Sequence, residues 1–157
     1  MSRKQERIMA LAVSLWIAGG GYSVALARGG PQDDEVIVTS IENANENVSA
    51  GKLQQENNRY YYLASDSTTK LTIAGEDYTW NGISFAARNK DGDASGGTLT
   101  VQDGKFKAEL YGGNSGSGRA DNNTLIFRKG SSTRDIYGGY GQTGAAGNTL
   151  EMQGGRG

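Results

Sequence analysis

The sequence predicts an all-β chain wound as a parallel β-solenoid with coils of about 25 residues. The first support is a strand pattern of threonine, leucine, any residue and an apolar residue. It occurs at Thr98-Leu99-Thr100-Val101, Thr124-Leu125-Ile126-Phe127 and Thr149-Leu150-Glu151-Met152, so the leucines recur at intervals of 26 and 25 residues. The second is Tyr111-Gly112-Gly113, which returns as Tyr137-Gly138-Gly139 after 26 residues. The third is composition: 25 glycines stand against one proline and no cysteine. Glycine at that level without a Gly-X-Y period signals disorder or tightly turned repeats, and the lone Pro31 excludes collagen. Duplicated low-complexity loops without a fold are the competing explanation. The apolar positions keep their register across those loops, which favours folding.

Stacking the coils places Leu99, Leu125 and Leu150 in one column and Val101, Phe127 and Met152 in a second, because residues two apart on a strand share a face. Lys70-Leu71-Thr72-Ile73 is a weaker, earlier member of the series. Asn123 and Asn148 precede their Thr-Leu strands at equivalent corners, where amide side chains can bond along a ladder. Gly112-Gly113 and Gly138-Gly139 are expected to supply positive-φ corners.

Three regions precede or make up the repeats. Residues 1–27 read as a helical signal peptide: Arg3, Lys4 and Arg7, an apolar run from Ile8 to Ala18, then Ala25-Leu26-Ala27 as cleavage site. The apolar run is short for a membrane span, and Gly19-Gly20-Gly21 interrupts it. Residues 28–64 are expected to be a leader and cap, and residues 65–157 the solenoid repeats. Within the leader, Val36-Ile37-Val38-Thr39 and Tyr60-Tyr61-Tyr62-Leu63 read as strands. Residues 42–58, rich in Asn, Glu and Gln, read as an irregular loop, and Ser65 to Thr69 as a polar turn. Asn81-Gly82 lies between Tyr78-Thr79-Trp80 and Ile83-Ser84-Phe85, which suits a type I′ hairpin serving as a cap. A corner of one more coil is the other reading of that dipeptide.

The chain holds 16 Lys+Arg and 17 Asp+Glu; three of the former and one of the latter fall in residues 1–27, which leaves the mature chain at −3. No face is basic enough to neutralise several phosphates, so nucleic acid is not an expected partner. Without histidine or cysteine the chain can form no Ser-His-Asp or Cys-His triad and no His- or thiolate-ligated zinc site. Carboxylate pairs remain, Asp91 with Asp93 or Asp103 with Glu109, but a glycosidase pair needs a cleft of defined spacing. Asp91-Gly92-Asp93-Ala94-Ser95-Gly96 matches the start of an EF-hand loop, yet its twelfth position is Gln102 where a bidentate glutamate is required. Gly138-Gly139-Tyr140-Gly141-Gln142 fails the nonapeptide calcium repeat at Thr143. Arg59-Tyr60-Tyr61-Tyr62 reads as a strand with one aromatic face inward, with a sugar-stacking surface as the alternative. Asn47-Val48-Ser49 and Asn122-Asn123-Thr124 match the N-glycosylation pattern, a short motif with a high rate of incidental matches. No catalytic, cofactor-binding or metal-ligating residue is expected.

The stretches TLTV, AELYGGNSGSG, NNTLIF and RDIYGGYGQTGAAGNTLEMQGG resemble the repeats of bacterial autotransporter adhesin passenger regions. The resemblance covers the signal and about Leu71 to Gly157, and its motifs recur in many secreted surface proteins. It implies a right-handed parallel β-helix, export through the Sec machinery, and a place at the cell surface, outer membrane or outside the cell. A host or neighbouring-cell surface, protein or glycan, is the implied partner, and the mature chain has no expected membrane span. The family's C-terminal outer-membrane barrel has no counterpart here, and Gly154-Gly155-Arg156-Gly157 falls inside a repeat. The expectation is therefore a fragment of a longer surface protein, with structural and adhesive rather than catalytic work. The alternatives are a β-helical polysaccharide-active enzyme and a short self-assembling matrix protein.

Overall fold

The computed structural model describes residues 35–64 and 70–154. The predicted signal peptide at residues 1–27, the leader up to residue 34 and the polar turn at residues 65–69 lie outside the described residues. In chain order the first elements are β1 (Glu35–Val38), helix α1 (Ile41–Ser49), β2 (Gln54–Glu56), β3 (Tyr60–Ala64), β4 (Lys70–Trp80) and β5 (Ile83–Asn89). There follow β6 (Ala94–Ser95), β7 (Thr98–Phe106), β8 (Leu110–Ser115), β9 (Ala120–Asp121), β10 (Thr124–Phe127), β11 (Ser131–Ser132), β12 (Ile136–Gly141) and β13 (Thr149–Met152).

These strands wind into a parallel β-solenoid of about three turns. One sheet runs β1-β4-β7-β10-β13 and the second β12-β8-β5-β3-β2, with β6 and β9 paired between them in a short third. Every rung-to-rung pairing is parallel; only β2 with β3 is antiparallel. The first sheet carries the columns that the repeat predicts. Val36, Leu71, Leu99, Leu125 and Leu150 are in register, and so are Val38, Ile73, Val101, Phe127 and Met152. Leu99, Val101, Leu125 and Phe127 are all 0% exposed, each such side chain worth roughly 1.5–3 kcal/mol of burial.

Asn123 and Asn148 form the expected ladder. The Asn123 Oδ1 accepts the Gly97 N–H at 3.0 Å, and its Nδ2 donates to the Ala94 carbonyl and to Asn148 Oδ1, both at 3.1 Å. One rung on, Asn148 Oδ1 accepts the Asn123 N–H at 2.9 Å while its Nδ2 donates to the Ala120 carbonyl at 2.6 Å. Asn123 is fully buried, and among the described residues no buried side-chain nitrogen or oxygen lacks a partner. A closed set of bonds makes a buried amide tolerable in this core.

Three expectations need correction. Gly112, Gly113, Gly138 and Gly139 do not have positive φ; among the glycines that geometry falls on Gly51, Gly96, Gly144 and Gly147, and on Gly104 (139°) and Gly130 (120°) at the corner where the first sheet bends. The Tyr-Gly-Gly glycines are required for space instead. A Cβ at Gly113 or Gly139 would overlap the carboxamide of Asn123 or Asn148, and one at Gly112 would overlap the carbonyls of Gly138 and Thr124. Asn81-Gly82 is not a hairpin turn, since neither residue has positive φ and its flanking strands β4 and β5 join different sheets. It is a coil corner, where Gly82 leaves room for the Tyr61 ring.

Residues 42–58 are not an irregular loop. Ser40 caps α1 by accepting the Asn43 N–H on its Oγ at 3.1 Å, which sets the helix start that the Asn/Glu-rich composition obscured. The helix buries Ala44 and packs Ile41 and Val48 on the core, and Leu53 joins that core on the way to β2. Tyr61 points inward from β3 and donates its hydroxyl to Asn45 of the helix at 3.0 Å. Helix and antiparallel β2 thus make the N-terminal cap that a solenoid needs.

Candidate functional site

The second sheet carries one feature that its sequence repeat extends through every coil: an outward file of aromatic rings. The register aligns Tyr62, Phe85, Tyr111 and Tyr137. Phe85 stacks on Tyr111 at 4.9 Å and 19°, and Tyr111 on Tyr137 at 4.9 Å and 10°. Tyr60 reaches across to lie 5.9 Å from Phe85, and Tyr140 meets Tyr111 and Tyr137 edge-on at 6.4 and 5.8 Å. Arg88 closes the N-terminal end of the file. Its guanidinium lies 4.7 Å from the Phe85 ring centre and 5.4 Å from that of Tyr60. The same group donates to Glu56 at 3.3 Å and to Asn114 at 2.7 Å, tying β2 and β8 to the file.

The Tyr60-Tyr61-Tyr62 stretch is a strand with one aromatic residue inward: Tyr61 is buried, while Tyr60 and Tyr62 are half-buried on the opposite face. Stacking decides what the outer rings can do. A pyranose binds an aromatic ring by its face, and the faces of Phe85 and Tyr111 lie against the neighbouring rungs. Those two rings offer no open face; Tyr137, at the last rung, is stacked on one side only. Burial pushes the Tyr111 hydroxyl up to about 12, with Tyr137, Glu109, Tyr140 and Asp135 adding to the shift. Tyr137 donates to Asp135 at 3.1 Å, and this bond, ahead of desolvation, raises its own pKa.

The carboxylates singled out in the sequence are engaged separately. Asp91 and Asp93 lie in a turn held by Asn89, whose Oδ1 accepts the Asp91 N–H at 3.1 Å and whose Nδ2 donates to the Asp93 carbonyl at 3.0 Å. The Asp93 carboxylate accepts the Arg119 N–H from the next coil at 2.8 Å. Asp103, on β7, accepts the Gly104 N–H at 2.7 Å and pairs with Lys129 at 2.6 Å. Glu109 stands before β8 in the other sheet. Gln102 is exposed on β7, and Tyr140 to Thr143 form the exposed end of β12 and its turn. Asn47 falls in α1, and Asn122 sits at φ 55° in an exposed corner. Among the described residues no group of three or more acidic side chains converges as a metal site, and no helix is long and apolar enough to cross a membrane.

Arg88, Glu56 and the Glu109–Asp135 pair escape a reading by motif. The signal for the last was present, since each stands two residues before the tyrosine of a Tyr-Gly-Gly. Comparison of the chain with protein-family models, with curated proteins and with solved structures finds no match. Fold and surface define the class: a capped parallel β-solenoid with an internal asparagine ladder and an external aromatic file.

Proposed function

We propose that the chain is an exported, surface-exposed β-solenoid segment of autotransporter-passenger type, structural and adhesive rather than catalytic. The observation that carries this reading is repetition on the outside as well as the inside. Ile37, Thr100, Ile126 and Glu151 lie on one register line of the outer face of the first sheet, with Thr72 of the same line covered, and the aromatic file lines the second. Side chains set at one-coil spacing along a stiff stack suit many weak contacts that add through multivalency. A protein or glycan on a host or neighbouring cell is the partner class, and residues 1–27 supply the Sec signal.

Two measurements test it. Residues 1–27 fused to an export-dependent reporter should deliver it across the inner membrane. Beads carrying many copies of residues 28–157 should bind cells or a glycan and matrix-protein array far better than the monomer does. Failure of export, or equal absence of binding by beads and monomer, overturns the reading. So does polysaccharide cleavage that disappears in the Asp91→Asn, Asp93→Asn variant.

A further inference from the structure

We propose that the corner between β4 and β5 is a self-modifying site, where Asn81 cyclises onto the Gly82 nitrogen and hydrolyses to aspartate and isoaspartate, the latter loosening the N-terminal cap. The proposal stands on the fold and is independent of the adhesive reading. Asn81 is the one asparagine of the chain that a glycine follows. Glycine has no Cβ to obstruct its own nitrogen as that atom approaches the asparagine Cγ. Asn81 is exposed, and among the described residues no partner holds its carboxamide or accepts the Gly82 N–H. The backbone is pinned on either side instead. The Trp80 carbonyl accepts the Lys107 N–H at 2.9 Å, and the Ile83 N–H donates to the Arg59 carbonyl at 2.7 Å. A backbone donor between those anchors, without a protein partner, is left to water.

The fold withholds the other asparagines of the coils from the same reaction. Asn123 and Asn148 are locked in the ladder, and the Asn114 oxygen accepts from Arg88 at 2.7 Å. At Asn81 the Gly82 nitrogen gives its proton to hydroxide and bonds to Cγ. The carboxamide nitrogen leaves as ammonia, taking a proton from water, and a five-membered imide remains. Water then adds to one of the two imide carbonyls and breaks its bond to nitrogen. Opening at Cγ gives aspartate. Opening at the backbone carbonyl gives isoaspartate, whose main chain runs through Cβ and Cγ. The net change is carboxamide and water to carboxylate and ammonium, with no oxidation or reduction.

Isoaspartate inserts one extra main-chain atom between two fixed points, the Trp80 carbonyl and the Ile83 N–H. Gly82 has no room to absorb it on its inner side, where a Cβ would lie 2.7 Å from Tyr61 Cε2. Tyr61 is the ring that joins the parts of the cap. Its hydroxyl donates to Asn45 of α1 and accepts from Gln55 of β2, both at 3.0 Å. Displacing the corner therefore strains the Ile83–Arg59 bond and the contacts of helix, β2 and β3 together.

The test ages the full chain in mildly alkaline buffer, folded and in urea, and maps it by mass spectrometry with isoaspartyl methyltransferase labelling. In the folded chain Asn81 should convert before every other asparagine. Its rate should stay within about tenfold of that in urea, since one net hydrogen bond on the Gly82 N–H would alone account for about that factor. Asn81→Gln should suppress the conversion and leave the fold unchanged. The isoaspartate form should exchange its Ile83 amide and the β2 and β3 amides faster than the parent. Freshly prepared Asn81→Asp, which carries the charge without the extra atom, should exchange like the parent. Persistence of Asn81 in the aged folded chain, or conversion of another asparagine ahead of it, overturns the site. Parent-like exchange in the isoaspartate form, or equal loosening in Asn81→Asp, overturns its action on the cap.

Discussion

Gly113 lies directly beneath the carboxamide of Asn123, so close that a Cβ on the glycine would occupy the amide's own position. Gly139 and Asn148 repeat the relationship one coil later. The Tyr-Gly-Gly and Asn-Thr-Leu motifs, separate in sequence, are therefore two halves of one device. The second sheet gives up side chains where the amide ladder needs volume.

That relationship predicts a specific coupling. Gly113→Ala should destabilise the chain by about 3 kcal/mol through overpacking, and Asn123→Ala by a similar amount through orphaned buried groups. Combined, they should cost clearly less than the sum, because removing the carboxamide vacates the space. Gly112→Ala meets backbone carbonyls instead, so Asn123→Ala should not rescue it. Denaturant unfolding of the parent chain, the three single variants and both double mutants supplies the cycle.

Along the leucine column, burial predicts a gradient. Leu125→Ala should cost about 2–5 kcal/mol, as a fully buried core truncation does. Leu150→Ala, at a position already 47% exposed, should cost roughly half of that or less. Equal losses in Tm would show that the last rung is as closed as the inner ones.

Raising the pH should loosen the aromatic file. The folded pKa of Tyr111 lies near 12, above the ordinary value of 10, so its neutral form is the one the fold favours. Its contribution is whole below pH 10 and is lost as pH climbs towards 12, with Tyr61 and Tyr137 shifted in the same direction. Stability measured across that window should fall, and Tyr111→Phe should flatten the fall.

Arg88 holds the cap to the repeats, and its planarity matters. Arg88→Lys retains the charge but loses stacking on Phe85 and the fork to Glu56 and Asn114, a change of about 1–2 kcal/mol. Faster hydrogen exchange should appear first in β2 and β3. On the acid side, the Lys90 hydrogen bond, ahead of the Arg88 charge, holds the Glu56 carboxyl below its usual range. That stabilisation is present above the ordinary carboxylate range and disappears as pH falls through the lowered value, so Glu56→Gln should soften acid unfolding.

The parts legible in the sequence were those that repeat. Leu99, Leu125 and Leu150 gave coil length, register and core together, because a solenoid core must recur with the coil. What occurs once was obscure. The α1 cap has no period, its segment is rich in Asn and Glu, and its start depends on the single hydroxyl of Ser40. The reason for the paired glycines was also hidden. Positive φ and lack of space select the same residue, and only the neighbouring Asn123 distinguishes them. On the outer face, the tyrosines were visible in sequence, but their mutual stacking, which covers both faces of Tyr111, depends on register in space.

Parallel, in-register stacking of successive coils is the premise of the whole account, and the absence of native cysteine makes it directly testable. Thr100 and Ile126 are register partners on neighbouring strands of the outer face, and Glu151 lies one rung beyond Ile126. Strands roughly 4.8 Å apart fall within disulfide reach, and two strand spacings do not. Under mild oxidation, Thr100→Cys with Ile126→Cys should cross-link rapidly within one chain, while Thr100→Cys with Glu151→Cys should not. Comparable cross-linking of both pairs, or of neither, would contradict the stacked register.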